Sequence, residues 1–93
     1  MTEAELKRAV LALAYRHGWL VYHVPATNVR GSQGKGYPDL TLARDGKVVW
    51  LELKQEDGRV REEQKLWGEA LPAHHWFVIR PHDLEWLEAE VLG

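Results

Sequence analysis

The 93-residue chain contains no cysteine. That excludes disulfide staples and thiolate metal sites. No apolar run approaches the roughly 18–20 residues that cross a bilayer, so no membrane partner is expected. The start, Met1 to Lys7, is polar and acidic and does not read as a signal peptide. Together these absences point to a cytoplasmic protein. A basic excess is also lacking, since the formal net charge is −2, and a strong non-specific grip on nucleic acid is not expected. The distribution softens that objection. Residues 1–38 carry Lys7, Arg8, Arg16, Arg30 and Lys35 against Glu3 and Glu5, whereas the stretch from His82 onward carries Asp83, Glu85, Glu88 and Glu90 and no Lys or Arg.

The length fits one domain over residues 1–93. So small a domain buries only about 60% of its unfolded-chain surface. Its five Trp enlarge the core. Trp19, Trp50, Trp67, Trp76 and Trp86 are also more large apolar groups than one small sheet needs, and Trp is enriched at interfaces. Several are expected at a subunit boundary, in a homodimer or a dimer of dimers.

Thr2 with Glu5 three residues later forms a capping box, and Leu6, Val10 and Leu13 recur at helical spacing up to Gly18, which predicts a helix over Glu3 to His17. Trp19 to Val24 reads as a strand. Ala26 to Tyr37 is Gly-rich and aperiodic, and loops of this length are often functional. Asp39 to Ala43 and Lys47 to Lys54 read as strands joined by the hairpin signal Asp45-Gly46. A helix follows, from Val60 or Arg61 to Ala70 or Leu71, closed by Pro72. Trp76 to Ile79 is a fourth strand, and Asp83 caps a last helix with Leu84, Leu87 and Val91 on one face. The order α-β-β-β-α-β-α predicts an α/β domain, a small mixed β-sheet flanked by helices.

The third strand alternates, with Val48, Trp50, Glu52 and Lys54 on one face and Val49, Leu51 and Leu53 on the other. Charged groups at the end of an apolar strand are costly unless paired or given a ligand. Arms of about six residues on each side of the turn place Asp39 beside Glu52 across the ladder. Two carboxylates then converge beside the Lys54 ammonium, a donor set that suits Mg²⁺ or Mn²⁺. In the second helix Val60, Gln64, Trp67 and Leu71 share a stripe, which turns an amide inward. Glu3 falls on the inward face of the first helix and is a candidate further carboxylate; Glu5 competes for that role but has its cap to make. Arg30 and Lys35, with Ser32 and Tyr37 in the same loop, are candidate substrate contacts, and the loop glycines allow close backbone approach. His23, His74, His75 and His82 have no zinc-motif spacing.

The run Gly36-Tyr37-Pro38-Asp39-Leu40, then Leu51-Glu52-Leu53-Lys54, then Glu63-Gln64-Lys65 resembles the PD-(D/E)XK nuclease superfamily. Within it the chain is similar to stand-alone VRR-NUC domains of phages and bacteria, themselves similar to archaeal Holliday-junction resolvases. The resemblance covers about residues 3–80. It implies a restriction-endonuclease-like fold and a Mg²⁺-dependent DNA nuclease in the cytoplasm of a bacterial or phage-infected cell. Asp39 and Glu52 would bind metal, with the Leu53 carbonyl and Glu3. Lys54 would be the catalytic lysine, Gln64 would assist it, and products would carry 5′-phosphate and 3′-hydroxyl ends. Branched DNA such as a four-way junction is the implied substrate. A flap-directed or general nuclease, and a non-catalytic nucleic-acid-binding or assembly module, stay open as alternatives.

Overall fold

The structure is a computed structural model that describes residues 1–23 and 34–93. Helix α1 (Glu3–Arg16) starts at the capping box. The Thr2 amide donates to Glu5 Oε1 at 2.7 Å and the Glu5 amide to Thr2 Oγ1 at 3.1 Å. The helix ends where Gly18 adopts φ +80° and the Trp19 amide reaches the Ala14 carbonyl at 2.9 Å.

Strands β1 (Leu20–His23), β2 (Leu40–Arg44), β3 (Lys47–Leu53) and β4 (Trp76–Ile79) form one sheet in the order β1-β2-β3-β4. The first three are antiparallel and β4 runs parallel to β3, so the sheet is mixed. Asp45 and Gly46, at φ 52° and 80°, make the two-residue turn between β2 and β3. Helix α2 (Glu62–Ala70) connects β3 to β4. After β4 the chain winds as a 3-10 turn (Pro81–Asp83), a short helix α3 (Leu84–Trp86) and a π-helical stretch (Leu87–Leu92). The regular last helix expected from Asp83 is therefore wider toward its end. That winding delivers the Leu92 carbonyl to Trp19 and Arg44, as described below. No helix among the described residues is long and apolar enough to cross a membrane.

The sheet has two unlike faces, and the register sorts them. Leu40, Leu42, Val49, Leu51, Leu53 and Ile79 are buried on one face, where Leu6, Val10 and Ala14 of α1 and Leu87, Val91 and Leu92 join them in a single apolar cluster. Trp50 and Glu52 point to the other face, which α2 covers. There Trp67 of α2 meets Tyr37 edge to face at 4.8 Å, and Trp50 Nε1 donates to the Tyr37 hydroxyl at 2.9 Å. The alternation expected along the third strand is thus the boundary between two packing layers.

Trp19 is not one of the tryptophans free to meet a second subunit. It is 2% exposed and belongs to the core. Its Nε1 donates to the Leu92 carbonyl at 2.9 Å, and the Arg44 guanidinium lies 4.5 Å over its ring. Arg44 also donates to the carbonyls of His17 (2.9 Å) and Leu92 (2.8 Å). One side chain thereby ties the β2–β3 hairpin to the end of α1 and to the C-terminal stretch. Trp86, by contrast, is exposed while touching Phe77 edge to face.

Gly68 brings α2 against β4. A Cβ built there would lie 2.6 Å from the Trp76 ring. Gly68→Ala gains helix propensity of up to about 1 kcal/mol but overpacks this contact, at a cost of about 1–3 kcal/mol. A lowered urea midpoint is expected, and a midpoint at or above the parent's would contradict this packing.

Candidate active site

The β2–β3 register pairs Leu40 with Leu51, so Asp39, one step before β2, stands opposite Glu52. Asp39 follows the buried Pro38, and its Oδ2 accepts from the Leu53 amide at 2.8 Å. That bond turns the Asp39 carboxylate across the ladder toward the end of β3.

Glu52 is 2% exposed. Its Oε2 accepts from Gln64 Nε2 at 2.7 Å and lies 4.0 Å from Lys54 Nζ. Gln64, 5% exposed, is oriented by its other end. Its Oε1 accepts from the Arg61 amide at 2.8 Å, inside the first turn of α2. A backbone amide can only donate, so the Gln64 NH₂ must face the carboxylate. The inward amide predicted from the helical stripe thus both caps α2 and holds Glu52. Glu52 Oε1 has no hydrogen-bond partner among the described residues although it is buried. Burial pushes the Glu52 carboxyl up to about 8, the facing Asp39 adds to the rise, and Lys54 and Arg61 oppose it.

The Lys54 side chain is 12% exposed. Lys54 lies just past β3 and its amide donates to the Ile79 carbonyl at 3.0 Å. The turn that follows it is held by Arg80, whose Nη1 donates to the carbonyls of Gln55 (2.6 Å) and Gly58 (2.8 Å). The His82 amide donates to Glu56 Oε2 at 2.9 Å, and the His82 ring also contacts Glu56. Sequence reasoning missed this support. Its only signal is that Arg80 follows the strand parallel to β3.

Asp39, Leu53 and Gln64 border a cleft of about 340 Å³, with Glu3 and Lys7 of α1 and Arg61, the N-cap residue of α2, on its walls. Glu3 is exposed, not on the inward face as expected, because it is the first residue of α1 and stands clear of the sheet; it reaches the site at the cleft mouth. Glu5 is spent on the cap. Tyr37 lines the cleft, and its hydroxyl is engaged with Trp50 and, at 3.3 Å, with Thr41. Lys35 is exposed, and it is its carbonyl that takes a bond, from Trp67 Nε1 at 3.0 Å. Arg30 and Ser32 lie outside the described residues. Lys7 and Arg61 were not singled out from the sequence. The available signals are that Lys7 is one helical turn beyond Glu3 and that Arg61 precedes Gln64 by three.

Among the described residues no three His, Asp or Glu side chains gather closely enough to hold a metal. This donor set does not fit a closed cage for zinc or calcium. It fits Mg²⁺ or Mn²⁺, since Mg²⁺ is commonly bound by one or two carboxylates and completes its shell with water and substrate phosphate. The buried, unpartnered Oε1 of Glu52, on the residue that stands opposite Asp39 in the register, is the feature that such an ion would satisfy.

Comparison of the chain with family models, curated proteins and solved structures finds no match.

The raised Glu52 value makes the folded state the better proton binder. Its contribution to stability is full below the ordinary glutamate value, near 4.5, and is lost as pH rises through about 8. In EDTA, the melting temperature should fall over that range more steeply for the parent than for Glu52→Gln. The comparison separates Glu52 from His82, whose ring pKa is raised by its bond to Glu56. Parallel melting profiles for the two proteins would contradict the assignment.

Proposed function

We propose that this chain is a Mg²⁺-dependent DNA endonuclease with a restriction-endonuclease-like fold, with Mn²⁺ able to substitute. The observation that carries the reading is the buried, half-satisfied Glu52 carboxylate opposite Asp39, with Lys54 beside it, behind the Asp39, Leu53 and Gln64 wall of the cleft. The resemblance of the Asp39, Glu52-Leu53-Lys54 and Gln64 elements to the PD-(D/E)XK superfamily supports the same reading and supplies DNA as the substrate.

Asp39 and Glu52 would hold the ion, with Leu53 and Glu3 bordering the same cleft. When bound, the ion lowers the pKa of a water and offsets charge on the transferring phosphoryl group. Gln64 keeps Glu52 aimed and prevents its buried carboxylate from rotating away. Lys54, held against Glu52, orients the attacking water and meets the phosphate as an ammonium. The attack breaks the P–O3′ bond, leaving a 5′-phosphate and a 3′-hydroxyl.

Asp39→Asn removes a ligand charge at nearly constant volume. It should abolish cleavage and greatly weaken Mn²⁺ binding in calorimetry, and equal affinity in both proteins would overturn the assignment. Lys54→Ala should lower single-turnover cleavage by about 10²–10³ while retaining DNA binding; a rate matching the parent's would remove Lys54 from the mechanism.

A two-fold dimer would present two copies of the site in opposite orientations, as paired cuts in a four-way junction require. We therefore assign the chain a homodimer, or a dimer of dimers, acting on branched DNA. Light scattering at micromolar concentration should give at least twice the 10.7 kDa chain mass. A monomer mass, or faster cutting of linear duplex than of a fixed junction, would favour a flap-directed or general nuclease instead.

A further inference from the structure

Two cations stand on the cleft walls without a place in the chemistry described above. Lys7 lies four residues beyond Glu3 on α1, so both project from one side of the helix into the cleft. Lys7 is half-buried and makes no ion pair among the described residues. Arg61 stands at the head of α2, with its side chain 63% exposed. Its Nε pairs with Glu63 Oε1 at 3.2 Å, which leaves the terminal nitrogens for another oxygen ligand.

Their placement follows from the layers. Helix α1 packs on the Leu40 and Leu51 face of the sheet, and α2 covers the Trp50 and Glu52 face. Lys7 and Arg61 therefore approach the cleft from opposite sides of the sheet, with Asp39 and Leu53 between them. The cleft also carries the carboxylates of Glu3 and Asp39, which repel an anion. An anionic ligand can settle there only where cations compensate, and among the described residues Lys7 and Arg61 are the cations that line it.

We propose that Lys7 and Arg61 form a phosphate clamp that holds a nucleic-acid strand across the end of the sheet, from the α1 layer to the α2 layer. The clamp rests on the nuclease reading in one respect, namely that the reacting phosphate sits at Asp39. That phosphate lies between the two walls, so the clamp engages its neighbours along the same strand, one on each side. Arg61 offers a planar fork that takes two phosphate oxygens, whereas Lys7 acts as a point charge on a flexible stem. The ligand class is thus a strand with phosphates on both sides of the cut, gripped through its backbone and not through its bases.

The test is binding of a fluorescently labelled oligonucleotide, read by anisotropy over a series of salt concentrations. Ca²⁺ replaces Mg²⁺, because its looser coordination holds phosphate without imposing octahedral geometry. Each lost phosphate contact lowers the slope of log K against log salt by about 0.7–0.9. Lys7→Ala and Arg61→Ala should each show that drop, the double variant should show both, and Lys7→Arg should restore the slope. Arg8→Ala, exposed on α1 and away from the cleft, should match the parent. Slopes unchanged in both single variants, or no parent binding even at the lowest salt, would overturn the clamp. The readout does not depend on cleavage. If the slopes behave as stated while the parent cuts no DNA with Mg²⁺ or Mn²⁺, the nuclease reading fails and Lys7 and Arg61 stand as a phosphate-binding pair.

Discussion

The Gln64–Glu52 hydrogen bond, 2.7 Å long and buried, is the contact around which the rest of the site is organised. A carboxylate enclosed by protein needs partners for both oxygens. Glu52 Oε2 has one, and Oε1 is left without a partner among the described residues. Two acids placed opposite each other at the end of a ladder repel when both are charged. Burial, with the facing Asp39 adding to it, raises the Glu52 pKa, so that a proton relieves the conflict in the absence of a cation. A bound divalent ion would resolve it in the opposite sense, by favouring both charges.

Each neighbouring element constrains this pair. The two-residue turn at Asp45-Gly46 sets the register that brings Asp39 to Glu52. The first turn of α2 orients Gln64 through the Arg61 amide. Parallel pairing with β4 carries Arg80 to the turn after Lys54, and Arg80 gathers carbonyls that would otherwise be loose ends beside the ammonium. On the far face, Arg44 and Trp19 lock the hairpin onto α1 and the C-terminal stretch. The small core and the site therefore share one framework, since β3 supplies Leu51 and Leu53 to the first and Glu52 to the second.

Local rules made much of this legible. The Thr2–Glu5 box, the Asp45-Gly46 turn and the alternation through Val49, Trp50, Leu51 and Glu52 each depend on residues close in sequence, and each appears as expected. Gln64 was legible because an amide on an apolar stripe is conspicuous. Features that depend on distant partners were not. Trp19 is buried because Leu92 and Arg44 meet it, 73 and 25 residues away in sequence. Arg80 reads as an ordinary charged residue until parallel pairing sets it beside the turn after Lys54. Glu3 fits the helical stripe by spacing, yet the first residue of a helix overhangs the sheet and meets the cleft instead of the core. Lys7 and Arg61 come together only because helices on opposite faces of the sheet both border its end.

The central proposal is that a divalent ion binds between Asp39 and Glu52, and a paramagnetic titration reads its location directly. Substoichiometric Mn²⁺ added to ¹⁵N-labelled protein broadens the amides nearest the ion. The account predicts that the Leu53 backbone amide and the Gln64 side-chain NH₂ broaden first, and that Asp39→Asn removes the effect. Broadening centred on the His82–Glu56–Asp83 cluster, or spread evenly over surface carboxylates, would contradict it.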